Sequence, residues 1–296
     1  MDNSQLLWDF KPAKKFFVGL DSDGCIFDSM EIKHKECFAP MFIKHFHLQA
    51  ASKYAREAWE FVNLYSKSRG CNRFPALTQS LKLLRERPEV LARGVAITDT
   101  KALEAWIERE PRMSNGTLAA EIKGGNSDLA ATLEWSNAVN ASIEDIVHGV
   151  PPFPKVRECL EKIAGQADAM VISQTPAAAL GREWAEHKID SYIKLIAGQE
   201  VGTKSDQLKL ATGGKYSPEN ILMVGDAPGD LKAAKSVGAL FYPIVPQHEE
   251  KSWQYLLDEG LPRFFEGGFA GEFEKRLVGD FEASLPANPP WKARSH

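Results

Sequence analysis

The sequence predicts an α/β fold, a parallel β-sheet covered by helices on both faces and interrupted early by a mostly helical insert. Three observations predict it. From about residue 150 onward, short apolar runs alternate with helical patterns, the arrangement that builds βαβ units. A further apolar run at 16–20 stands apart near the start and leads straight into Asp21-Ser22-Asp23-Gly24. Between them, residues 30–149 carry apolar side chains at helical spacing. The expected division is a core of residues 1–29 and 150–296 with an insert of 30–149. At 296 residues the chain exceeds the size at which one core usually stops growing, which fits two units.

Taken in order, residues 16–20 read as a strand buried on both faces, because the run is uniformly apolar and ends in a turn signal. In the insert, Phe38, Met41, Phe42 and Phe46, then Ala55, Trp59 and Val62, fall one helical turn apart. Further helices are expected at 76–86, 99–109, 128–137 and 142–148, the last opened by a capping box at Ser142-Ile143-Glu144-Asp145. His45 and His47 lie two apart in a helical pattern and so face away from each other, which argues against a metal pair. The prolines of 151–154 close the insert.

Then comes a helix at 155–164 and a strand at 168–172 that ends in Ser173-Gln174-Thr175-Pro176. A helix at 177–187 and a strand at 192–197 lead to a loop with Gly198, Gly202 and Lys204. After a helix at 205–213, a strand at 220–225 ends in Asp226-Ala227-Pro228-Gly229-Asp230. A helix at 230–237 stops at Gly238 and a fifth strand follows at 239–245. Residues 250–283 read as helical trim, and the proline-rich end from Pro286 as loosely held.

Composition excludes several classes. Hydrophobic content of 44% and charged content of 26% are ordinary for a globular protein. A formal charge of −4 gives no basis for a nucleic-acid or anionic-membrane partner. No apolar window reaches membrane-spanning length, and the first 15 residues hold no signal-peptide core, so a cytoplasmic location is expected. Cys25, Cys37, Cys71 and Cys159 form no Cys-x-x-Cys pair, so neither zinc nor a disulfide framework is expected.

Ligands of parallel sheets bind beyond the carboxyl ends of the strands. Asp21 and Asp23, Ser173, and Asp226 with Asp230 all follow strands on that edge. Asp21 and Asp23 are two apart in an extended segment and would crowd one site. Lys204 stands at a helix entrance between the second and third groups, with Lys209 as the alternative cation. Together they supply a nucleophile, an acid or base, a hydroxyl, a cation and metal-binding carboxylates, the parts of a phosphoryl-transfer site.

On these residues the chain resembles the haloacid dehalogenase (HAD) superfamily across residues 16–245, in the phosphatase-like branch that inserts a helical cap after the first motif. The resemblance implies a Rossmann-like core, a cap domain, and a phosphoric monoester hydrolase acting on a small phosphorylated metabolite through an aspartyl-phosphate intermediate. It implies Asp21 as nucleophile and Asp23 as acid and base. Ser173 and Lys204 would bind the phosphoryl group, and Mg2+ would be held by Asp21, the Asp23 carbonyl and Asp226, with Asp230 in support. A phosphotransferase or mutase of the same superfamily is the alternative, and an inactive regulatory homologue a further one. An acid at position 23 favours ester cleavage over the dehalogenases, which lack one there. Cys25, Gln174 after Ser173, and the absence of proline after Lys204 depart from the usual pattern. In the insert, the basic loop 66–73 is either a plain helix-helix turn or a grip on the substrate's far end, with Arg69, Asn72 and Arg73 as candidates beside Gln174 of the core. The sequence leaves the oligomeric state open.

Overall fold

The structure, a computed structural model, describes residues 3–292; the ends of the amino-terminal and proline-rich segments, 1–2 and 293–296, lie outside the described residues. The chain divides into two compact units, one of residues 1–29 and 149–285, the other of 30–148 and 286 onward.

The first unit is built on a five-stranded parallel sheet in the order β3-β2-β1-β4-β5. Its strands are β1 (Phe16–Leu20), β2 (Ala167–Ile172), β3 (Leu195–Ala197), β4 (Ile221–Gly225) and β5 (Leu240–Pro243). The uniformly apolar runs are explained by burial on both faces. Val18, Leu20, Ala169, Val171, Leu222 and Val224 enter one core cluster, while Phe17, Met170, Ile172, Ile221 and Met223 enter the other. β1 is central, and Leu20 pairs with Val171 on one side and Val224 on the other. That register brings the residues after β1, β2 and β4 to one edge. At the opposite edge, buried Asp168 fastens the segment before β1, accepting from the backbone of Ala13 at 2.8 Å, of Lys14 at 2.9 Å, and from the Tyr216 hydroxyl at 2.8 Å.

Two expectations for this unit need correcting. β3 is only three residues long, because Asp190–Tyr192 winds into a 3-10 turn before it. The stretch 250–283 is no trim, since Trp253, Leu256, Leu261, Phe264 and Phe269 are fully buried against the sheet's own core residues. A chain of rings, tilted from Phe16 to Phe264 and edge-to-face from Phe264 to Phe269, shows the same aromatic infill.

The second unit is helical around Trp59 and Trp135, whose rings meet at 5.6 Å, with Phe38 at 5.5 Å and Phe42 at 5.3 Å from Trp59. The expected helices at 128–137 and 142–148 are one helix, Ala130–Ile146, and the capping box at Ser142 lies inside it. No glycine or proline interrupts 130–146, and Trp135 and Val139 bury the same face one turn apart, so the helix has no reason to stop. A helix at Asn115–Lys123, unexpected because Gly116 reads as a breaker, is started by a capping box between Ser114 and Thr117. The proline-rich end is not loose over 286–292. Lys67 N donates to Pro286 O at 3.3 Å, Arg87 stacks on Trp291 at 4.4 Å, and Lys292 pairs with Glu86 at 2.8 Å.

Candidate active site at the carboxyl edge of the sheet

Asp21 leaves β1 with its backbone N–H still bonded to Val224 O at 3.0 Å, so the sheet itself sets its position. The chain then turns sharply. Gly24 takes a positive φ of 74°, and the N–H groups of Ile26 and Phe27 both return to Ser22 O, at 2.9 and 3.1 Å. Two buried indoles brace this turn: Trp184 donates to Ser22 Oγ at 3.1 Å and Trp253 to Cys25 O at 2.8 Å. Cys25 is buried within it, its thiol directed at Val224 O at 3.7 Å, and burial beside Asp21 pushes that thiol up, which makes it filler rather than a nucleophile.

The carboxylate of Asp21 is nearly fully buried. One oxygen accepts from Ser22 N at 2.8 Å and the other meets Lys204 Nζ at 2.7 Å. The same ammonium reaches Asp230 at 2.6 Å, so Lys204 bridges the ends of β1 and β4. Lys204 opens the helix Lys204–Thr212, which Thr203 starts through a capping box with Asp206. Lys209 is exposed on the same helix, and it is Lys204 that reaches the carboxylates. Asp230 is held in turn by Ala227 N at 3.0 Å on its second oxygen. A Cβ on Gly225 would lie 2.4 Å from the Asp230 carboxyl carbon, so only glycine lets that side chain close over the end of β4. Asp226 is buried beside them, and ligand oxygens of Asp21, Asp226 and Asp230 all fall within 4.8 Å of one another.

The electrostatics follow from this crowding. Burial raises the Asp21 carboxyl well above its ordinary range; Lys204 opposes the rise, and the charges of Asp230 and Asp226 add to it. Asp230 is raised by burial and by Asp226, against Lys204. For Lys204, burial alone would favour the neutral amine, but Asp21 and Asp230 outweigh it and keep the ammonium charged. Three carboxyl groups thus crowd one another, two of them paired with one ammonium, in a buried cluster of hard oxygen donors. That donor set suits Mg2+, which takes carboxylate and water oxygens, better than a thiophilic metal.

Asp23 stands two residues on, partly exposed. Thr175 Oγ1 donates to one of its oxygens at 2.7 Å and Ser29 Oγ to the other. Ser173 is buried at the end of β2 with its hydroxyl accepting from Thr175 N at 3.2 Å. Gln174 is exposed beside it and donates to Gly202 O at 2.8 Å. The structure therefore gathers Asp21, Lys204, Asp226 and Asp230 into one cluster on the edge that also carries Asp23, Ser173 and Gln174.

Arg69, Asn72 and Arg73 belong to the helical unit, where their polar atoms are engaged. Arg69 is buried and donates to Leu64 O at 2.9 Å. Asn72 caps the helix Arg73–Arg85 by accepting from Phe74 N. Arg73 donates to Ser136 Oγ at 2.9 Å and Asn140 at 2.7 Å while lying over the Phe38 ring at 5.1 Å. Each of the three thus has partners within its own unit.

Three residues of the site escaped sequence reasoning: Thr175, Ser29 and Gln207. Gln207 is wholly buried, and its Nε2 faces the carbonyls of Ser173, Gly198 and Gly202 at 2.8, 2.9 and 3.1 Å. A signal existed for two of them. Thr175 repeats after Ser173 the two-residue spacing of Asp21 and Asp23, and Gln207 lies one helical turn after Lys204.

The family profile of the haloacid dehalogenase-like hydrolases matches residues 98–243. Among solved structures, a protein of Bacteroides fragilis described as a haloacid dehalogenase-like hydrolase shares 16% identity at a TM-score of 0.51, covering 81% of this chain and 93% of its own. A haloacid dehalogenase-like family hydrolase of Streptococcus pneumoniae shares 14% identity at a TM-score of 0.43, over 81% of this chain and 90% of that one. No curated protein matches the chain. The chain thus carries the profile of the haloacid dehalogenase-like hydrolases over residues 98–243, and its parallel sheet, with acidic groups clustered at the carboxyl edge, has the fold of the Bacteroides fragilis protein.

Proposed function

We propose that the protein is a magnesium-dependent phosphatase that hydrolyses a small phosphorylated metabolite through a phosphoryl group carried on Asp21. The observation that supports this most is the Lys204 bridge between Asp21 and Asp230, which holds a buried carboxylate ready beside a fixed positive charge. Asp21 and Asp226 would hold Mg2+ with the Asp23 carbonyl, and Asp230 would support them from behind through Lys204. When bound, the ion neutralises negative charge at the phosphate and at the carboxylates.

In the first step an Asp21 oxygen forms a bond to phosphorus. The bond to the leaving oxygen breaks, and that oxygen takes its proton from Asp23. In the second step water attacks phosphorus and gives a proton to Asp23. The bond to Asp21 breaks and its electron pair restores the carboxylate, releasing inorganic phosphate. Ser173 and Lys204 would bind the phosphoryl oxygens throughout. The helical unit would act as a cap that excludes competing water and selects the substrate.

The test is a panel of phosphate esters scored for free phosphate, with Mg2+ and with chelator, on wild type and Asp21→Asn. Phosphate release that needs Mg2+ and vanishes in a folded Asp21→Asn protein is expected, as is a rise in melting temperature on adding Mg2+. Isomerised product without free phosphate would assign a mutase instead. Full activity in Asp21→Asn would overturn the covalent route.

A further inference from the structure

We infer that Thr175 is a positioning residue that aims the Asp23 carboxyl at the leaving group; the role rests on the phosphatase reading above. Asp23 has two rotatable side-chain bonds and is partly exposed, so nothing in its own backbone fixes the direction in which it delivers a proton. The Thr175 hydroxyl supplies that direction, donating to one Asp23 oxygen at 2.7 Å.

The threonine is itself held rigidly. Its N–H donates to Ser173 Oγ at 3.2 Å, and its carbonyl accepts from Gln199 N at 3.1 Å, so the peptide is fixed on both sides. A Cβ on Gly198 would lie 2.8 Å from that carbonyl, which shows how closely the neighbouring loop is pressed against it. A β-branched side chain adds a stiff first torsion. The hydroxyl is thereby tied to the same strand end as Ser173, the hydroxyl expected to bind the phosphoryl group. The acid and the phosphate would then be positioned from one rigid element, the condition for holding a proton donor within about 10–20° of its working direction.

The experiment compares Thr175→Val and Thr175→Ser with wild type on two substrates, p-nitrophenyl phosphate and an alkyl phosphate such as glycerol phosphate. Nitrophenolate leaves without protonation, whereas an alkoxide needs its proton. A mispositioned acid should therefore lower kcat/KM for the alkyl ester by about 10- to 100-fold, part of the usual worth of a general acid, and for the aryl ester by less than about 3-fold. The serine variant keeps the hydroxyl and should recover to within about 3-fold of wild type on both. Thr175→Ala serves if the valine variant does not fold. Losses that are equal on both substrates, or no loss at all, overturn the role of Thr175 while leaving the phosphatase reading in place. A wild-type protein that releases phosphate from no ester overturns the reading and this role together.

Discussion

Gln207 offers a quantitative check on how the site is assembled. Its amide sits where two loops meet, and its two N–H bonds are shared among the carbonyls of Ser173, Gly198 and Gly202. Leucine fills nearly the same volume and removes both donors. The Gly202 carbonyl keeps Gln174 Nε2 at 2.8 Å and the Gly198 carbonyl keeps Val201 N at 3.1 Å, so the loss falls mainly on Ser173, whose remaining donor, Gln174 Nε2, stands 3.5 Å away. One buried carbonyl left poorly met costs about 1–3 kcal/mol, and each of the other two lost bonds about 0.5–1.5 kcal/mol. Against this, Gln207 Oε1 is itself buried with no partner, so removing it relieves an existing penalty of about 1–3 kcal/mol. The net expectation for Gln207→Leu is a loss of about 1–2 kcal/mol, or roughly 2–8 °C in melting temperature for a unit of this size.

Because the two loops carry Ser173 and lead into Lys204, a small shift should also lower kcat/KM, by about 10- to 100-fold. Gln207→Glu is the sharper variant, since it turns carboxylate oxygens toward the three carbonyls and should destabilise more than leucine does. Urea unfolding followed by tryptophan fluorescence, beside phosphate release, measures both effects. Stability within about 0.5 kcal/mol of wild type together with unchanged turnover would refute the claim that Gln207 ties these loops.

Two further outcomes concern the helical unit. Arg73→Ala should destabilise the protein by about 2–4 kcal/mol, from the lost charged hydrogen bonds to Ser136 and Asn140 and the contact over Phe38, and any fall in activity should be equal for aryl and natural substrates; a loss confined to the natural substrate would assign the arginine to substrate binding instead. Trp291→Ala should cost about 1–3 kcal/mol in thermal or urea unfolding, because it removes the ring that covers Arg87 and meets Phe61 at 5.7 Å; an unchanged melting temperature would mean that the end of the chain contributes no stability.

The parts of the site that were legible in the sequence share one physical origin. Asp21, Ser173 and Asp226 each follow a strand buried on both faces, and such a strand is a continuous apolar run that cannot be hidden by context. Once the sheet is parallel, its register fixes which polar residues meet. Contacts between side chains carry no such signature. Thr175 and Asp23 are 152 positions apart, and no local pattern marks a threonine that will bond an aspartate so far away. Boundaries failed where local signals were outvoted. The capping pattern at Ser142 lost to an unbroken apolar stripe through Trp135 and Val139, and Gly116 was overruled by a capping box next to it. The arginines of loop 66–73 carry no such signature either: their stems and forks are long enough to reach acceptors within their own unit, Leu64 O for Arg69 and Ser136 for Arg73.

The arrangement at the sheet edge is hard to explain by folding alone. Asp21, Asp226 and Asp230 are buried at 4%, 1% and 0% exposure, and Lys204 is the cation that bridges two of them. Buried ion clusters of this kind are often matched or exceeded in stability by apolar side chains of similar volume. The surrounding strands show that apolar filling was available, since β1, β2 and β4 are apolar apart from Asp168 at the far end of β2. Even Gly225 is committed to the cluster, because any larger residue would displace Asp230. Stability therefore does not account for three carboxyl groups in this place. A reaction that needs a positioned carboxylate, a fixed ammonium and room for a divalent ion does, and the sheet spends its rigid carboxyl edge on holding them.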